Sequence, residues 1–172
     1  IYLGGNFAGD NGFYTGDSAL LSNGSDIPNT DFPELIGQTF TSIPDGSGGW
    51  YVGGTFTYQT YSNLIHILPN NTVDILFSPN PNGSVRTLLL EGNTLYVGGL
   101  FTQINGQNKS YLVAINASNG IVNTSWSPDP SNYPLTIAKD GNTIYVGGYF
   151  TSIGGQTRNY LASVDSLTGL AT

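Results

Sequence analysis

Apolar and polar residues alternate in short runs along this chain, and the runs return in a fixed order. The best-preserved run reads Leu95-Tyr96-Val97-Gly98-Gly99-Leu100-Phe101 and again Ile144-Tyr145-Val146-Gly147-Gly148-Tyr149-Phe150, with shorter copies at Tyr51 to Phe56 and Tyr2 to Phe7. Period-two alternation rich in Tyr, Val, Ile and Phe marks a half-buried strand. No stretch repeats apolar residues at i, i+3, i+4 and i+7 for more than a turn, so no helix is expected.

The two best copies define a four-stranded unit. Short apolar first strands at 87–90 and 136–139 end in tight turns, Glu91-Gly92-Asn93-Thr94 and Asp140-Gly141-Asn142-Thr143, where Gly and Asn supply positive φ. Second strands follow at 95–102 and 144–151, then a loop through Ile104-Asn105-Gly106-Gln107 or Ile153-Gly154-Gly155-Gln156, and third strands at 111–116 and 160–165. Asn116 to Gly120 and Asp165 to Gly169 share an Asx opening and a Gly close, the pattern of a type I turn with a bulge. A fourth strand is expected at 121–126. An aromatic and spaced prolines come next, Phe77-Ser78-Pro79-Asn80-Pro81 and Trp126-Ser127-Pro128-Asp129-Pro130, which suits the outer edge of a sheet. The paired glycines mark a bulge or a close approach of another backbone, and close approach is the simpler reading.

The motif tyrosines, Tyr2, Tyr51, Tyr96 and Tyr145, stand 49, 45 and 49 residues apart. That period belongs to propeller blades of about 40 to 50 residues. The expected fold is therefore an all-β propeller of four-stranded antiparallel blades filling residues 1–172: a partial blade at 1–35, blades at 36–83 and 84–132, and a partial blade at 133–172. Residue 1 aligns with the start of a second strand, and residue 172 stops three residues short of the expected outer aromatic. A segment of a larger ring is the expectation.

Composition narrows the partners. Charged residues make up only 9% of the chain, and Gly, Asn, Ser and Thr dominate, as in a secreted or cell-surface protein. Eleven acids outnumber four scattered bases, Arg86, Lys109, Lys139 and Arg158, for a net charge of −7, which argues against nucleic acid. Without cysteine there is no disulfide framework and no thiolate metal site. No run approaches the roughly 18 apolar residues of a membrane span, so no membrane insertion is expected.

Candidate chemistry is sparse. His66, the single histidine, alternates with Ile65 and Ile67 on a third strand, and one imidazole without partners reads as structural. Acids that could serve glycoside hydrolysis, Asp26, Asp31, Glu34, Asp129 and Asp140, lie mostly at turns, and Asp45, Glu91 and Asp140 share one hairpin position. No catalytic residue and no metal ligand set emerges. No cofactor is called for; calcium is the one left open, through Asp10-Asn11-Gly12 or Asp26 with Asp31, where no D-x-[DN]-x-[DN]-G run exists, or through a site assembled from several blades. Phe13, Tyr14, Tyr58, Tyr61 and Tyr133 fall outside the repeated core positions, in loops where the copies differ, and are the candidate ligand- or partner-binding residues. Lys109 and Arg158 share a blade position, as do Gln107 and Gln156, which favours a structural task. N-glycosylation sequons stand at Asn23, Asn70, Asn82, Asn108, Asn116 and Asn123, and the contexts of Ser18 and Ser166 resemble a short bacterial O-glycosylation signal.

The stretch from Tyr145 to Gly169, Tyr-Val-Gly-Gly-Tyr-Phe-Thr-Ser-Ile-Gly-Gly-Gln-Thr-Arg-Asn-Tyr-Leu-Ala-Ser-Val-Asp-Ser-Leu-Thr-Gly, resembles the β-propeller repeats of unknown function in large secreted or surface bacterial proteins. A weaker likeness extends to kelch-type and fungal cortical-marker propellers. The resemblance implies an extracellular propeller of adhesin-like proteins and carries over no catalytic residue. The function expected is that of a non-enzymatic module for adhesion, binding or structural scaffolding. Its partners would be other protein domains or copies in a surface assembly, or glycans. The alternative is a carbohydrate-binding or carbohydrate-cleaving propeller.

Overall fold

The computed structural model describes residues 32–172 and, as backbone, two short strands, β1 (Tyr2–Gly4) and β2 (Ser18–Leu20), which pair antiparallel. Three larger antiparallel sheets follow. The first holds β3 (Ile36–Pro44), β4 (Trp50–Tyr58) and β5 (Tyr61–Ile67); the second holds β6 (Val85–Glu91), β7 (Thr94–Gly99) and β10 (Leu112–Asn116). The third holds β11 (Pro134–Asp140), β12 (Thr143–Gly148) and β15 (Leu161–Asp165). In each the middle strand carries the Gly-Gly motif. The first strands, β3, β6 and β11, lie side by side where the sheets converge. This is the all-β propeller architecture, and no described residue is helical.

Alternation splits each sheet between two cores. Val52, Ile65 and Ile67 point to one side of the first sheet, with Phe32 and Leu35. Tyr51 and Leu64 point to the other and join Val85, Leu88, Val97 and Ile115 of the second sheet. Tyr96 and Leu112 in turn meet Ile137, Ile144 and Val146 of the third. The cores thus lie between sheets, as face-to-face packing requires.

Four expectations need correcting. The fourth strand shrinks to single bridges, Ile67 with Val73, Ile115 with Val122 and Val164 with Ala171. After Val73 and Val122 one further amide bonds the sheet, Asp74 N to His66 O and Asn123 N to Ala114 O, and the chain then leaves through Asn or Asp turns, Asp74 Oδ1 accepting from Leu76 N at 3.0 Å and Asn123 Oδ1 from Ser125 N at 3.1 Å. Second, Phe77 and Trp126 are not on an outer edge but buried between sheets, and Pro79, Pro81, Pro128 and Pro130 are buried with them. Their carbonyls are used: Pro128 O accepts from Gly154 N at 2.6 Å, and Pro79 O from Asn105 N. Third, the loop after the second strand forms a small hairpin, β8 (Gln103–Ile104) with β9 (Gln107–Asn108) and β13 (Ser152–Ile153) with β14 (Gln156–Thr157), because Ile104 and Ile153 are drawn into the cores. Fourth, only Gly92 and Gly141 (both φ +54°) take positive φ in the β6–β7 and β11–β12 turns, and their asparagines do not.

The glycine pairs answer to both a bulge and a close approach. Each lies opposite an extra residue in the first strand: Phe40 between Thr39 and Thr41, Arg86 between Val85 and Thr87, Leu135 between Pro134 and Thr136. The second glycine of each pair faces that bulged backbone. The first faces the next sheet: a Cβ on Gly53 would stand 2.5 Å from Val85 Cγ1, and one on Gly98 2.6 Å from Pro134 Cγ.

Candidate functional site

A bulge inserts one side chain that the ladder does not pair, and it re-aims that side chain. Phe40, Arg86 and Leu135 are these extra residues, and they sit on the three first strands that run together. Phe40 and Leu135 are exposed. Arg86 bridges two blades: its guanidinium carbon lies 4.0 Å from the centre of the Phe40 ring, and its Nε donates to Ser84 Oγ at 3.3 Å. The fold therefore presents one residue of different character per blade along an inner rim. Sequence reasoning passed over this rim. The signal was there in the Gly-Gly opposite a first strand one residue too long.

His66 is not alone. Nδ1 lies 3.0 Å from Asp74 Oδ2 and Nε2 3.2 Å from Asp45 Oδ2, while the ring stacks on Tyr51 at 4.4 Å and meets Phe77 edge-on at 5.9 Å. The imidazole thus ties the β3–β4 turn, β5 and the segment after Val73. Burial opposes ionisation of Asp45, but the hydroxyl and amide of Ser47, His66 and the amide of Gly49 outweigh it and hold the carboxyl at about 2. Burial, with the charges of Asp45 and Asp74, pushes the Tyr51 phenol up to about 12. That hydroxyl donates to Ala117 O of the next sheet at 2.8 Å. Every side-chain polar atom of this cluster is occupied by its neighbours.

Asp165, Glu91 and Asp129 also have local partners. Asp165 Oδ1 accepts from Thr168 Oγ1 and N, both at 2.8 Å, and from Leu167 N at 3.0 Å, and the Thr168 hydroxyl and these two amides hold its carboxyl below the usual range. Glu91 accepts from Lys139 Nζ at 2.9 Å across two sheets, and Asp129 Oδ2 from Ser127 Oγ at 2.9 Å. Lys109 Nζ donates to the same Ser127 Oγ at 2.9 Å, whereas Arg158 reaches only Thr157 O. Among the described residues no three His, Asp or Glu converge as metal ligands. Asp10, Asp26 and Asp31 lie outside those residues.

Phe13, Tyr14 and Asn23 also lie outside the described residues, and Ser18 falls on β2. Tyr58 and Tyr61 do not sit in a free loop. They face one another across the end of the β4–β5 hairpin, half-buried against the first core, with the Tyr61 hydroxyl 3.5 Å from Ile75 O. Tyr133 is half-buried and its ring lies 5.1 Å from that of Tyr149. Tyr145 on β12 and Tyr149 and Tyr160 next to the strands of the third sheet, none of them among the candidate binding residues, are exposed.

The sequons differ in their surroundings. Asn70, Asn108 and Asn123 are exposed and engage Oδ1 as an acceptor, whereas Asn116 is half-buried at its turn. Asn82 is spent on structure: Oδ1 accepts from Thr102 N and Gln103 N at 2.8 and 2.9 Å, and Nδ2 donates to Thr102 Oγ1 at 2.9 Å. Ser131 clips Thr151 and Ser152 in the same way one blade later. Ser166 is half-buried, with its amide on Asn142 O.

No curated protein matches this chain. Residues 93–125 and 142–162, less than half of it, match the family described as a domain of unknown function (DUF5122) beta-propeller, and these stretches run through the Gly-Gly strand, β10 and the Asx-Gly turn of the second sheet and the Gly-Gly strand of the third.

Proposed function

We propose that this chain belongs to an extracellular, non-enzymatic propeller that serves as a binding or scaffolding module of a surface protein or assembly. The observation that carries the reading is the inner rim. A repeated bulge delivers Phe40, Arg86 and Leu135, three unlike side chains, to equivalent places on a rigid frame. Variation on a constant scaffold is how binding surfaces are built. The acids support it from the other side, since those with described contacts are engaged by turns, by His66 or by Lys139. Sparse charge supports an extracellular setting, and other domains or copies of the surface assembly are the partners in this reading.

A second reading, carbohydrate binding, is favoured by Arg86 on Phe40. An aromatic-backed guanidinium offers a planar fork to a carboxylate-bearing sugar. An array of neutral and acidic glycans, run beside a reducing-end release assay on the same sugars, tests both. The expected result is no released sugar, with any glycan signal confined to acidic sugars and lost in Arg86→Ala. Release of reducing ends by the chain would sink the non-enzymatic reading.

A further inference from the structure

We infer that a cavity beside the β13–β14 hairpin is a binding site for one neutral sugar ring. It has a volume of about 500 Å³, in the range of small-molecule sites, and opens between that hairpin and the connector Ser127-Pro128-Asp129. Buried Pro128 and Ile153 give it an apolar floor, and Leu170 forms an apolar side. Asp129, Ser152, Gln156 and Thr157 give it polar walls. The side formed by Leu170 is open by construction of the repeat. Ile121, in the same place after its turn glycine and followed by a connector and a further sheet, is 56% exposed against 57% for Leu170.

The second sheet has the same frame with its polar groups spent. There Gln103 Nε2 donates to Asn108 Oδ1 at 2.8 Å across the β8–β9 hairpin, and Asn80 Oδ1 accepts from Ser62 N at 3.1 Å. At these three places the third sheet has Ser152, Thr157 and Asp129. The hydroxyls of Ser152 and Thr157 and the amide of Gln156 reach no partner among the described residues. Asp129 keeps the φ of +40° that Asn80 has, but its Oδ2 accepts from Ser127 Oγ, which in turn accepts from Lys109 Nζ, and its Oδ1 has no described partner. These groups select the occupant. A carboxylate oxygen accepts, while hydroxyls and an amide both donate and accept, so what they hold must offer several hydroxyls. Lys109, one hydroxyl away from Asp129, offsets its charge, and no net charge is asked of the ligand. A pyranose joins a C–H face for the floor to a hydroxyl edge for the walls. One ring held in this way binds at about 1 mM, too weakly to survive the washing of an array.

The test is made in solution, by following backbone amide NMR shifts of the isotope-labelled chain. Methyl glycosides of glucose, galactose, mannose and N-acetylglucosamine are each added to about 20 mM, well above the expected Kd, with n-butylammonium and methyl glucuronide as charged comparators. At least one neutral glycoside should shift the amides of Ser152, Gln156, Thr157 and Leu170 saturably and leave those of Gln103, Gln107, Asn108 and Ile121 in place. Gln156→Ala removes a side chain with no described contact, and Asp129→Asn supplies the residue that the second connector already holds at the same φ. Each should weaken that binding at least about fivefold, the worth of one hydrogen bond. Arg86→Ala should leave it unchanged, because the cavity shares no residue with the rim. No saturable shift with any of the four glycosides overturns the proposal, as do equal shifts at both hairpins. Tighter binding of butylammonium or glucuronide than of every neutral glycoside overturns it too, since the cavity would then select charge.

Discussion

Replacing Gly98 by Ala is the sharpest probe of the contact between blades. The added Cβ would stand 2.6 Å from Pro134 Cγ, 2.7 Å from Thr87 Cγ2 and 3.3 Å from Ile137 Cδ1. Non-bonded carbons rest about 3.5–4.0 Å apart, so the proline ring and the threonine methyl must each retreat by about 1 Å. Neither has much room, because Pro134 is fixed by its own ring beside the bulge and Thr87 is buried. Overpacking of this kind costs about 1–3 kcal/mol. Removing a flexible glycine from a strand returns about 0.5–1 kcal/mol. The net loss should be about 1–2 kcal/mol, or a fall in melting temperature of roughly 2–8 °C for a chain of this size. Gly147→Ala is the internal control. It has the same motif position and the same crowding from its own sheet, Thr136 Cγ2 at 2.9 Å, but among the described residues no atom of another sheet within 4 Å, and should stay within about 0.5–1 kcal/mol of the parent. Urea unfolding followed by near-ultraviolet circular dichroism measures both. Equal losses in the two variants, or none in Gly98→Ala, would refute the account of the glycine pair.

Other substitutions read the His66 cluster. His66→Ala removes a ring that contacts both Asp45 and Asp74 and stacks on Tyr51, and should lower the urea-derived stability by about 2 kcal/mol or more through lost hydrogen bonds and packing; a loss under about 1 kcal/mol would show that the ring is a spectator. Asp45 ionises at about 2 rather than at its ordinary 3.8, so the stability it lends is full above about pH 4 and is lost as pH falls toward 2. Nearly two units correspond to about 2 kcal/mol, so Asp45→Asn should cost about that at pH 7 and converge with the parent near pH 2. Persistence of the gap in acid would exclude this origin. Tyr51 is raised to about 12 from its ordinary 10.0, so its contribution holds up to about pH 10 and declines between 10 and 12. Tyr51→Phe, which strips the donor from Ala117 O, should cost about 1 kcal/mol at pH 7 and flatten that alkaline decline.

Local chemistry made much of the fold legible. Asn116 to Gly120 and Asp165 to Gly169 close as expected, with Gly120 and Gly169 at φ +72° and +78° and Gly120 N on Asn116 O at 2.8 Å, because an Asx opening and a glycine leave few other conformations. What depended on distant chain was not legible. Alternation put His66 opposite Ile65 and Ile67, yet its partners come from 21 residues before it and 8 after, and no spacing rule joins them. The motif tyrosines are equivalent in sequence, yet Tyr51 and Tyr96 are buried and Tyr145 is exposed, because equivalence in sequence says nothing about what covers the side chain. The fourth strand failed for a related reason. Val73, Val122 and Ala171 have strand-like surroundings, but a single bridge suffices to dock each before a polar turn takes over. Leucines 76 and 167, apolar and exposed at their turns, show how loosely composition tracks burial there.

Near-identical blades in one chain create an assignment problem during folding, since the third strand of one sheet could pair with the second strand of another. The His66 cluster gives the first sheet a label that its neighbours lack. At the position of His66 the second sheet has Ala114 and the third Ser163, and where Asp74 stands they have Asn123 and Thr172. Docking β10 or β15 on β4 would put Ala114 or Ser163 where the imidazole stands and leave the carboxylate of Asp45 with no ring to receive it. A mispaired intermediate thus carries an electrostatic penalty that the apolar cores, nearly interchangeable among blades, could not impose. One histidine with two aspartates acts as an address for strand order.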